Sequence, residues 1–206
     1  SAAENNFNLV VHHESQVDML EKQPAIKPFF IWLKIDTGMH RLGFEPVDVK
    51  KIYSRLMNCA AVKKPIGLMT HFAESDSVDR AATLQQIEIF NSVTQGLEGP
   101  RSLANSAGIM AWPSAHADWV RPGIMLYGTS PFGGHRGVEH HLQPVMALSS
   151  ELIATHDLLQ GERVGYGGTW VCPEKMRIGV VGIGYGDGYQ SNAKNGTPVL
   201  VNGRPC

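Results

Sequence analysis

Long apolar runs are absent from this 206-residue sequence. Its longest, Phe29 to Leu33, is far shorter than the roughly 18 residues that a membrane-spanning helix requires. The first residues, SAAENNFN, contain neither the basic nor the apolar segment of a secretory signal. We therefore expect no membrane association and a cytoplasmic location.

An excess of one charge sign is also missing, since 18 Lys and Arg stand against 19 Asp and Glu. Nucleic-acid binding relies on a basic face that neutralises phosphates, so we expect no nucleic-acid partner. Cysteine is scarce. Cys59, Cys172 and Cys206 are widely spaced and odd in number, which is typical of reduced thiols in the cytoplasm.

Strand-like and helix-like patterns alternate along the first two thirds of the chain. The apolar runs predict strands at Asn8 to His12, Phe29 to Ile35 and Ile66 to Phe72, with shorter ones at Ser102 to Asn105 and Trp119 to Arg121. Because these runs are apolar enough to be buried on both faces, they indicate a parallel sheet with helical crossovers. About five such units are visible.

Three helices are predicted between these strands. The first is capped near Ser15, the second opens at Pro46, and the third is capped by Ser77. The second helix has an apolar face made of Val49, Ile52, Tyr53 and Leu56. The apolar residues of the third recur at near-helical spacing and are Leu84, Ile87, Phe90 and Val93.

The texture changes near Leu142, where Val, Ile and Thr runs are broken by glycine and indicate a second, mainly β region. The segment before it, PFGGHRGVEHHLQP, has the character of an exposed linker. Its histidines, His135, His140 and His141, have no acidic or thiol partners at ligand spacing, so we expect no metal site. We therefore predict domains at residues 1–134 and 135–206.

The end of the chain is expected to be incomplete. Pro198 to Val201 is a predicted strand, and Asn202-Gly203 is a strong hairpin signal. Only three residues follow Gly203, so we expect no room for a return strand. A closed eight-unit barrel takes about 250 residues, so five units fit an internal fragment of a longer protein.

Polar residues after predicted strands are the candidates for chemistry, because parallel α/β folds place active sites at the carboxyl ends of their strands. The candidates are Lys34, Asp36, His40, Arg41, His71, Asn105, Ser106 and Arg121. Each also has a purely structural interpretation: an ion network for the charged group after the second strand, a satisfied buried histidine for His71, a helix cap for Asn105 and Ser106, and half of a surface ion pair for Arg121.

Six motifs together carry a more specific signal. They are KIDTGMHRLGF, MTHFAESD, ANSAG, WVRPGIMLYG, VGYGGTW and IGYGDGY. In order and approximate spacing the sequence resembles the alanine racemases, most closely those of proteobacteria. The resemblance implies a partial (β/α)8 TIM-type barrel followed by part of a mainly-β C-terminal domain. It also implies pyridoxal 5'-phosphate as cofactor, alanine as substrate, D-alanine supply for peptidoglycan, and a head-to-tail homodimer.

The resemblance also implies roles for single residues. Tyr166 matches the base that removes the α-proton of the L-enantiomer and reaches the barrel of the other subunit. An unperturbed tyrosine has a pKa of about 10, so it needs cations and hydrogen bonds that favour its phenolate. His71 and Arg121 match the residues that form such a network. Arg121 also matches the arginine that faces the cofactor's pyridine nitrogen.

The remaining matches concern phosphate and substrate. Asn105 and Ser106, with backbone groups of Gly123 and Ile124, match the phosphate cradle. Arg41 matches the arginine near the substrate carboxylate. Tyr185 matches a tyrosine where substrate enters. Lys34 matches a lysine that is carbamylated in some members. Tyr185 is equally well explained as a packed β-domain residue.

One departure from the family pattern stands out. The family's Schiff-base lysine belongs to the first barrel strand, and none of the nine lysines here stands in the matching motif. We therefore expect the chain alone to be catalytically incomplete. Three alternatives remain: a broad-specificity amino-acid racemase of the same fold, a non-enzymatic pyridoxal-phosphate carrier, and a separate folding or interaction module. A β domain that contains Tyr166 argues against the carrier.

Overall fold

A computed structural model describes residues 4–24 and 27–206. The chain divides into two compact units, Ser1–Met146 and Ala147–Cys206. Within the described residues, no helix combines the length and the apolar character needed to cross a bilayer.

A parallel sheet forms the centre of the first unit. Its strands are β1 (Leu9–Val11), β2 (Phe29–Lys34), β3 (Val62–Met69) and β4 (Arg101–Ser102). They lie side by side in chain order, and each pairs in parallel with its neighbour. The helices are α1 (Glu14–Glu21), α2 (Val49–Asn58), α3 (Ala81–Val93) and α4 (Ser106–Ala111). The predicted parallel α/β arrangement is therefore confirmed.

The alternation of β2 separates two environments. Ile31 and Leu33 are fully buried in the hydrophobic core, which also contains the predicted apolar face of α2. The intervening Trp32 and Lys34 are half-buried on the opposite face of the strand. Lys34 is the last residue of β2, so it lies at the carboxyl end of the sheet. The alternation places its side chain on the same face as Trp32, opposite the core residues Ile31 and Leu33.

The cap predicted near Ser15 is formed by His13, and the predicted Ser77 cap is wrong. The N-cap of α1 is His13, whose Nδ1 accepts a hydrogen bond from the Ser15 backbone N–H at 3.2 Å. Before α3, Ser77 Oγ accepts from the Asp79 N–H at 3.1 Å, and Asp79 Oδ1 accepts from the Ala81 N–H at 2.9 Å. Each of these two side chains accepts a hydrogen bond from the backbone N–H two residues later. Two successive turns of this kind, in place of one serine cap, lead into α3.

The buried face of α3 agrees with the predicted one at Ile87 and Phe90 but not at its other positions. Its buried side chains are those of Thr83, Gln86, Ile87 and Phe90, while Leu84 is 47% exposed. Two polar residues therefore occupy core positions at helical spacing. The Gln86 amide hydrogen-bonds to polar groups that follow β2 and β3, whereas within the described residues the buried Thr83 hydroxyl has no hydrogen-bond partner.

The two short predicted strands are shorter still in the structure. Residues 101–102 form β4, and the chain from Trp119 onward contributes a single parallel bridge, between Ser102 and Trp119. The Arg121 N–H donates to the Ala104 carbonyl at 2.9 Å, so residues 119–121 still run along the end of the sheet.

The second unit is built from antiparallel pairs, as predicted for a mainly β region. Strand β5 (Leu152–Leu158) pairs with β8 (Met176–Val181), and β6 (Arg163–Val164) pairs with β7 (Trp170–Val171). The expectation of no return strand at the end of the chain is wrong, because β9 (Leu200–Val201) pairs with β10 (Arg204–Pro205) around Asn202-Gly203. A two-residue turn needs only a short return segment.

Gly67 of β3 provides a test of the packing on the face of the sheet that carries Trp32. A Cβ at this position would overlap the six-membered ring of Trp32. We expect Gly67→Ala to lower the free energy of unfolding by about 1–3 kcal/mol because the indole must move. Urea unfolding measures this, with Gly133→Ala as the control, since a Cβ at Gly133 meets no atom within 4 Å. Equal stability of the two variants would contradict this account of the packing.

Candidate active site

A cavity of about 410 Å³ opens at the carboxyl end of the sheet in the first unit. Its lining includes His71, Asn105, Ser106, Arg121, Gly123 and Ile124. These residues come from three separate segments after β3, after β4 and after residue 119. The parallel topology brings them together because the carboxyl ends of parallel strands share one edge of a sheet.

Arg121 is the central cation of this cavity. Its guanidinium donates to the Thr70 carbonyl at 2.5 Å, to the Leu103 carbonyl at 3.3 Å and to the hydroxyl of Ser102. Burial lowers its pKa from the ordinary value, although arginine stays protonated throughout the working range of proteins. Within residues 4–24 and 27–206, no carboxylate lies within salt-bridge distance of Arg121.

His71 lies beside Arg121, with its Nδ1 3.5 Å from the Arg121 Nη2. Arginine can only donate, so this geometry assigns the acceptor role to Nδ1 and leaves Nε2 to carry the proton of the neutral ring. Burial first, and then the charges of Arg121, Arg41 and Lys34, lower the pKa of His71 to about 4. The imidazole is therefore neutral at pH 7 and presents an Nε2–H donor.

Asn105 and Ser106 open α4 and shape one wall of the cavity. Asn105 Oδ1 accepts from the Gly108 N–H at 2.9 Å and from the Ser75 hydroxyl at 2.7 Å. Ser106 Oγ accepts from the Gly123 N–H at 2.8 Å, so the start of α4 is tied to the turn after Arg121. The helix-cap interpretation is therefore met by Asn105, and the same contact fixes the orientation of its amide group.

The loop after β2 is closed by main-chain hydrogen bonds. The Asp36 N–H donates to the Phe44 carbonyl at 2.9 Å, and the Phe44 N–H donates to the Lys34 carbonyl at 2.9 Å. Gly43 has φ +139°, and a Cβ there would meet the backbone of Ile35 and Asp36. A glycine is thus required where the loop returns to the strand.

The carboxylate of Asp36 serves this loop. Its Oδ1 accepts from the backbone N–H groups of Gly38, Met39 and His40 at 3.0–3.1 Å. Burial raises the pKa of Asp36, but these hydrogen bonds outweigh it and the net pKa is lowered. In the described structure the only ion pair of Asp36 is with His40 at 3.5 Å, so the carboxylate organises the loop more than it neutralises Lys34.

Lys34 and Arg41 add positive charge at this edge of the sheet. Burial, followed by the charges of Arg41 and Arg121, lowers the pKa of Lys34 from its ordinary value. Both side chains also contribute to the lowered pKa of His71. Together with Arg121 they make the carboxyl end of the sheet a site suited to an anionic ligand.

The two candidate tyrosines lie in the second unit and are described within it. Tyr166 stands in the loop of the β6–β7 hairpin and is 92% exposed. Gly165, Gly167 and Gly168 around it have φ values of +73°, +72° and +56°. Such values favour glycine, so the motif builds a loop that projects the phenol outward. Tyr185 begins a short 3-10 turn and is 70% exposed.

The linker histidines form a small aromatic group in the first unit. The rings of His135 and His140 lie 5.4 Å apart, both near Phe132, and His135 Nδ1 is 3.2 Å from Glu139 Oε2. Among the residues that the structure describes, no three His, Cys, Asp or Glu side chains are grouped to hold a metal ion.

Sequence reasoning missed the polar residues that hold Arg121 in place. Thr70 lies within the motif MTHFAESD, and Ser102 stands two residues before the motif ANSAG. Both residues are buried. A signal was present, since a threonine in an apolar strand next to a candidate histidine needs a buried partner. The identity of that partner could not be read from spacing.

His71 makes the stability of the protein depend on pH. In the unfolded chain its pKa is near the ordinary 6.5, whereas in the folded protein it is about 4. The unfolded state therefore binds more protons between these values, and stability falls as the pH drops through them. We expect a His71→Gln variant to show a flatter dependence of the free energy of unfolding on pH between 6.5 and 4. Parallel curves for the two proteins would show that His71 titrates normally.

Comparison with known proteins places these features in one family. The family model described as "Alanine racemase, N-terminal domain" matches residues 1–131, and that described as "Alanine racemase, C-terminal domain" matches residues 145–206. The alanine racemase of Shewanella amazonensis is 54% identical over 201 residues, which cover 98% of this chain and 55% of the relative. That of Vibrio atlanticus is 52% identical over 200 residues.

Solved structures of alanine racemases also match this chain. Biosynthetic alanine racemase from Pseudomonas aeruginosa matches with a TM-score of 0.92 and 42% identity, covering 99% of this chain and 57% of that one. Alanine racemase from Acinetobacter baumannii matches with a TM-score of 0.89 and 35% identity, covering 100% and 58%. The predicted fold, part of a TIM-type barrel followed by part of a β domain, is confirmed.

The chain spans about half the length of the curated relatives it matches. Two family models match it from residue 1 to residue 131 and from residue 145 to residue 206, and relatives align along almost all of it. The chain belongs to the alanine racemase family.

Proposed function

We propose that the protein carrying this chain interconverts L-alanine and D-alanine in the cytoplasm, with pyridoxal 5'-phosphate as cofactor, and supplies D-alanine for peptidoglycan. The observation that carries the proposal is the cavity that His71 and Arg121 line together with Asn105 and Ser106. Family membership supports this reaction, and the cavity offers a cationic, hydrogen-bonding site suited to it.

The residues of the cavity fit a phosphorylated pyridine. Ser106 Oγ draws the Gly123 and Met125 N–H groups toward the start of α4, at 2.8 and 3.4 Å. A Cβ on Gly123 would lie 3.7 Å from Ser106 Oγ, so glycine leaves this corner open. Asn105, Ser106 and the backbone of Gly123 and Ile124 would hold the phosphate. When bound, the cofactor supplies an electron sink that makes the α-proton of an amino acid removable.

Arg121 would face the pyridine nitrogen. Its guanidinium is donor-only and cannot practically be deprotonated, so it keeps the facing nitrogen an acceptor. This restrains the negative charge that the ring can hold and disfavours side reactions such as transamination. The contacts of Arg121 with Thr70, Leu103 and Ser102 hold its planar group rigidly enough for that role.

His71 would orient the phenol that acts as base. With Nδ1 turned to Arg121, its Nε2–H is available to donate to a phenolate oxygen. We assign that phenol to Tyr166, contributed by the second subunit of a homodimer, because its loop exposes the side chain almost completely. A second base on the opposite face of the α-carbon would then return the proton.

The remaining candidates serve substrate binding. Arg41 would bind the substrate carboxylate, for which a planar guanidinium is better suited than an ammonium. Lys34 would be carbamylated. Its lowered pKa favours the neutral amine, the form that reacts with carbon dioxide, and the resulting anion would hold Arg41 in place. Tyr185, which is exposed within the second unit, would lie where substrate enters.

The direct test is an assay of the complete protein with each alanine enantiomer, following formation of the other by chiral chromatography. Racemisation of alanine far faster than that of lysine or arginine supports the proposal. Comparable rates with lysine and arginine would instead support the broad-specificity alternative.

Tyr166→Phe in the complete protein tests the two-base assignment. The change keeps the aromatic ring but deletes the proton acceptor, so racemisation should fall in both directions because each turnover uses both bases. Wash-in of solvent deuterium should be lost for L-alanine and partly retained for D-alanine. Equal residual exchange for both enantiomers would make Tyr166 a positional residue.

Arg121→Lys in the complete protein tests the role assigned to the guanidinium. Lysine keeps the charge but can transfer its proton to the facing nitrogen, so we expect slower racemisation and more pyruvate formed per alanine racemised. Arg101→Lys is the matched control, because Arg101 donates to the Thr94 carbonyl and does not line the cavity. An unchanged product ratio in Arg121→Lys would remove this residue from the cofactor.

A further inference from the structure

Gln86 is a polar side chain in the buried face of α3, only 4% exposed. Its amide makes three hydrogen bonds to the ends of β2 and β3. Nε2 donates to Thr37 Oγ1 and to the His71 carbonyl, both at 3.1 Å, and Oε1 accepts from the Ala73 N–H at 2.9 Å. One amide group thus satisfies both the carbonyl of a candidate active-site histidine and the N–H two residues beyond it.

These contacts allow a single orientation of the amide. Reversing it would place the NH2 group against the Ala73 N–H and the oxygen against the His71 carbonyl. The Thr70 hydroxyl donates to the Ile35 carbonyl at 3.0 Å, so the hydroxyl of Thr37, 2.7 Å from it, must be the donor to Thr70. The bonds therefore run in one direction, from Gln86 through Thr37 and Thr70 to the end of β2.

The same stretch of chain is held from its other side by Arg121. Arg121 donates to the carbonyl of Thr70, and Gln86 donates to the next carbonyl, that of His71. Two consecutive peptide groups at the end of β3 therefore have fixed orientations. The direction in which the His71 side chain leaves the backbone follows from them, and so does the approach of Nδ1 to Arg121.

We infer that Gln86 is a positioning residue for His71, and that it holds the main chain of residues 71–73 so that the imidazole stays aligned with Arg121. This inference rests on the racemase function proposed above. Gln86 does not line the cavity, so it acts through His71 and not on the substrate.

Packing alone does not account for an amide at this position. A methionine or leucine would fill similar volume beside Ile87 and Phe90 without the cost of burying a polar group. It would leave the Ala73 N–H, the His71 carbonyl and the Thr37 hydroxyl without this partner. The glutamine is therefore explained by the direction of its hydrogen bonds at the end of β3.

The experiment compares Gln86→Met and Gln86→Glu in the complete protein, with Gln85→Met and Gln85→Glu as matched controls. Gln85 is the neighbouring, exposed glutamine of the same helix. Methionine removes all three hydrogen bonds. Glutamate keeps an acceptor for the Ala73 N–H but, as a carboxylate, loses both donors. We expect both Gln86 variants to lower kcat by roughly 10- to 100-fold with KM changed less than about twofold, because a small misplacement of a catalytic group has effects of that size.

Two further measurements separate positioning from general stability. In a His71→Ala background, Gln86→Met should lower kcat by less than about threefold more, since a residue that acts through His71 has nothing left to position. Hydrogen exchange of the cofactor-free protein should show faster exchange for the peptide that covers residues 70–74 in Gln86→Met, with the core strand β2 unchanged.

A Gln86→Met enzyme with kcat within twofold of the wild type would overturn the inference. So would a full multiplicative loss in the His71→Ala background, or unchanged exchange at residues 70–74. If neither Gln86 variant folded, Gln86 would be a residue of fold stability and the inference would fail. Absence of racemase activity in the wild type would refute the proposed function, while the exchange measurement would still test whether Gln86 holds the main chain of residues 71–73.

Discussion

Much of the candidate site depends on which acceptors the half-buried guanidinium of Arg121 bonds. Arg121 has no carboxylate partner among the described residues, and its donors go to oxygens of Thr70, Ser102 and Leu103. A charge partly removed from water is costly unless its donors are satisfied, so these oxygens must lie within a few ångströms of each other. Residues 70 and 102–103 belong to the ends of neighbouring strands. The position of the Arg121 guanidinium therefore depends on the register between β3 and β4.

The charge of the site follows from the same constraint. Lys34 and Arg41 share the carboxyl edge of the sheet with Arg121, while Asp36 directs its Oδ1 to three backbone N–H groups of its own loop. Positive charge therefore dominates, and burial together with this charge lowers the pKa of His71 and favours its neutral form. In the function proposed above, this neutral imidazole would link the Arg121 cation to the phenol by hydrogen bonds, and an anionic ligand would balance the charge around it.

Structural and functional interpretations of the same residue turn out to be compatible. Asn105 caps α4, as its position before a helix suggests, and that cap fixes the amide at the wall of the cavity. Asp36 organises a loop, and that loop carries Arg41. Gln86 is part of the buried face of α3 and also holds the main chain of His71. In each case the local structure determines where a neighbouring side chain can act.

The sequence by itself determined the strand and helix order, the parallel sheet and the mainly β second unit, because periodicities of two and 3.6 residues reflect local burial. It also placed His71, Asn105 and Arg121 at strand ends, and its motifs identified the family. Spacing found Ile87 and Phe90 on the buried face of α3 but not Thr83 and Gln86, and it did not reveal the caps at His13 and before Ala81 or the return strand β10. Those features, and the Thr70, Ser102 and Gln86 contacts, depend on which polar groups meet across the sheet, and only the tertiary structure brings residues so distant in sequence within hydrogen-bond distance.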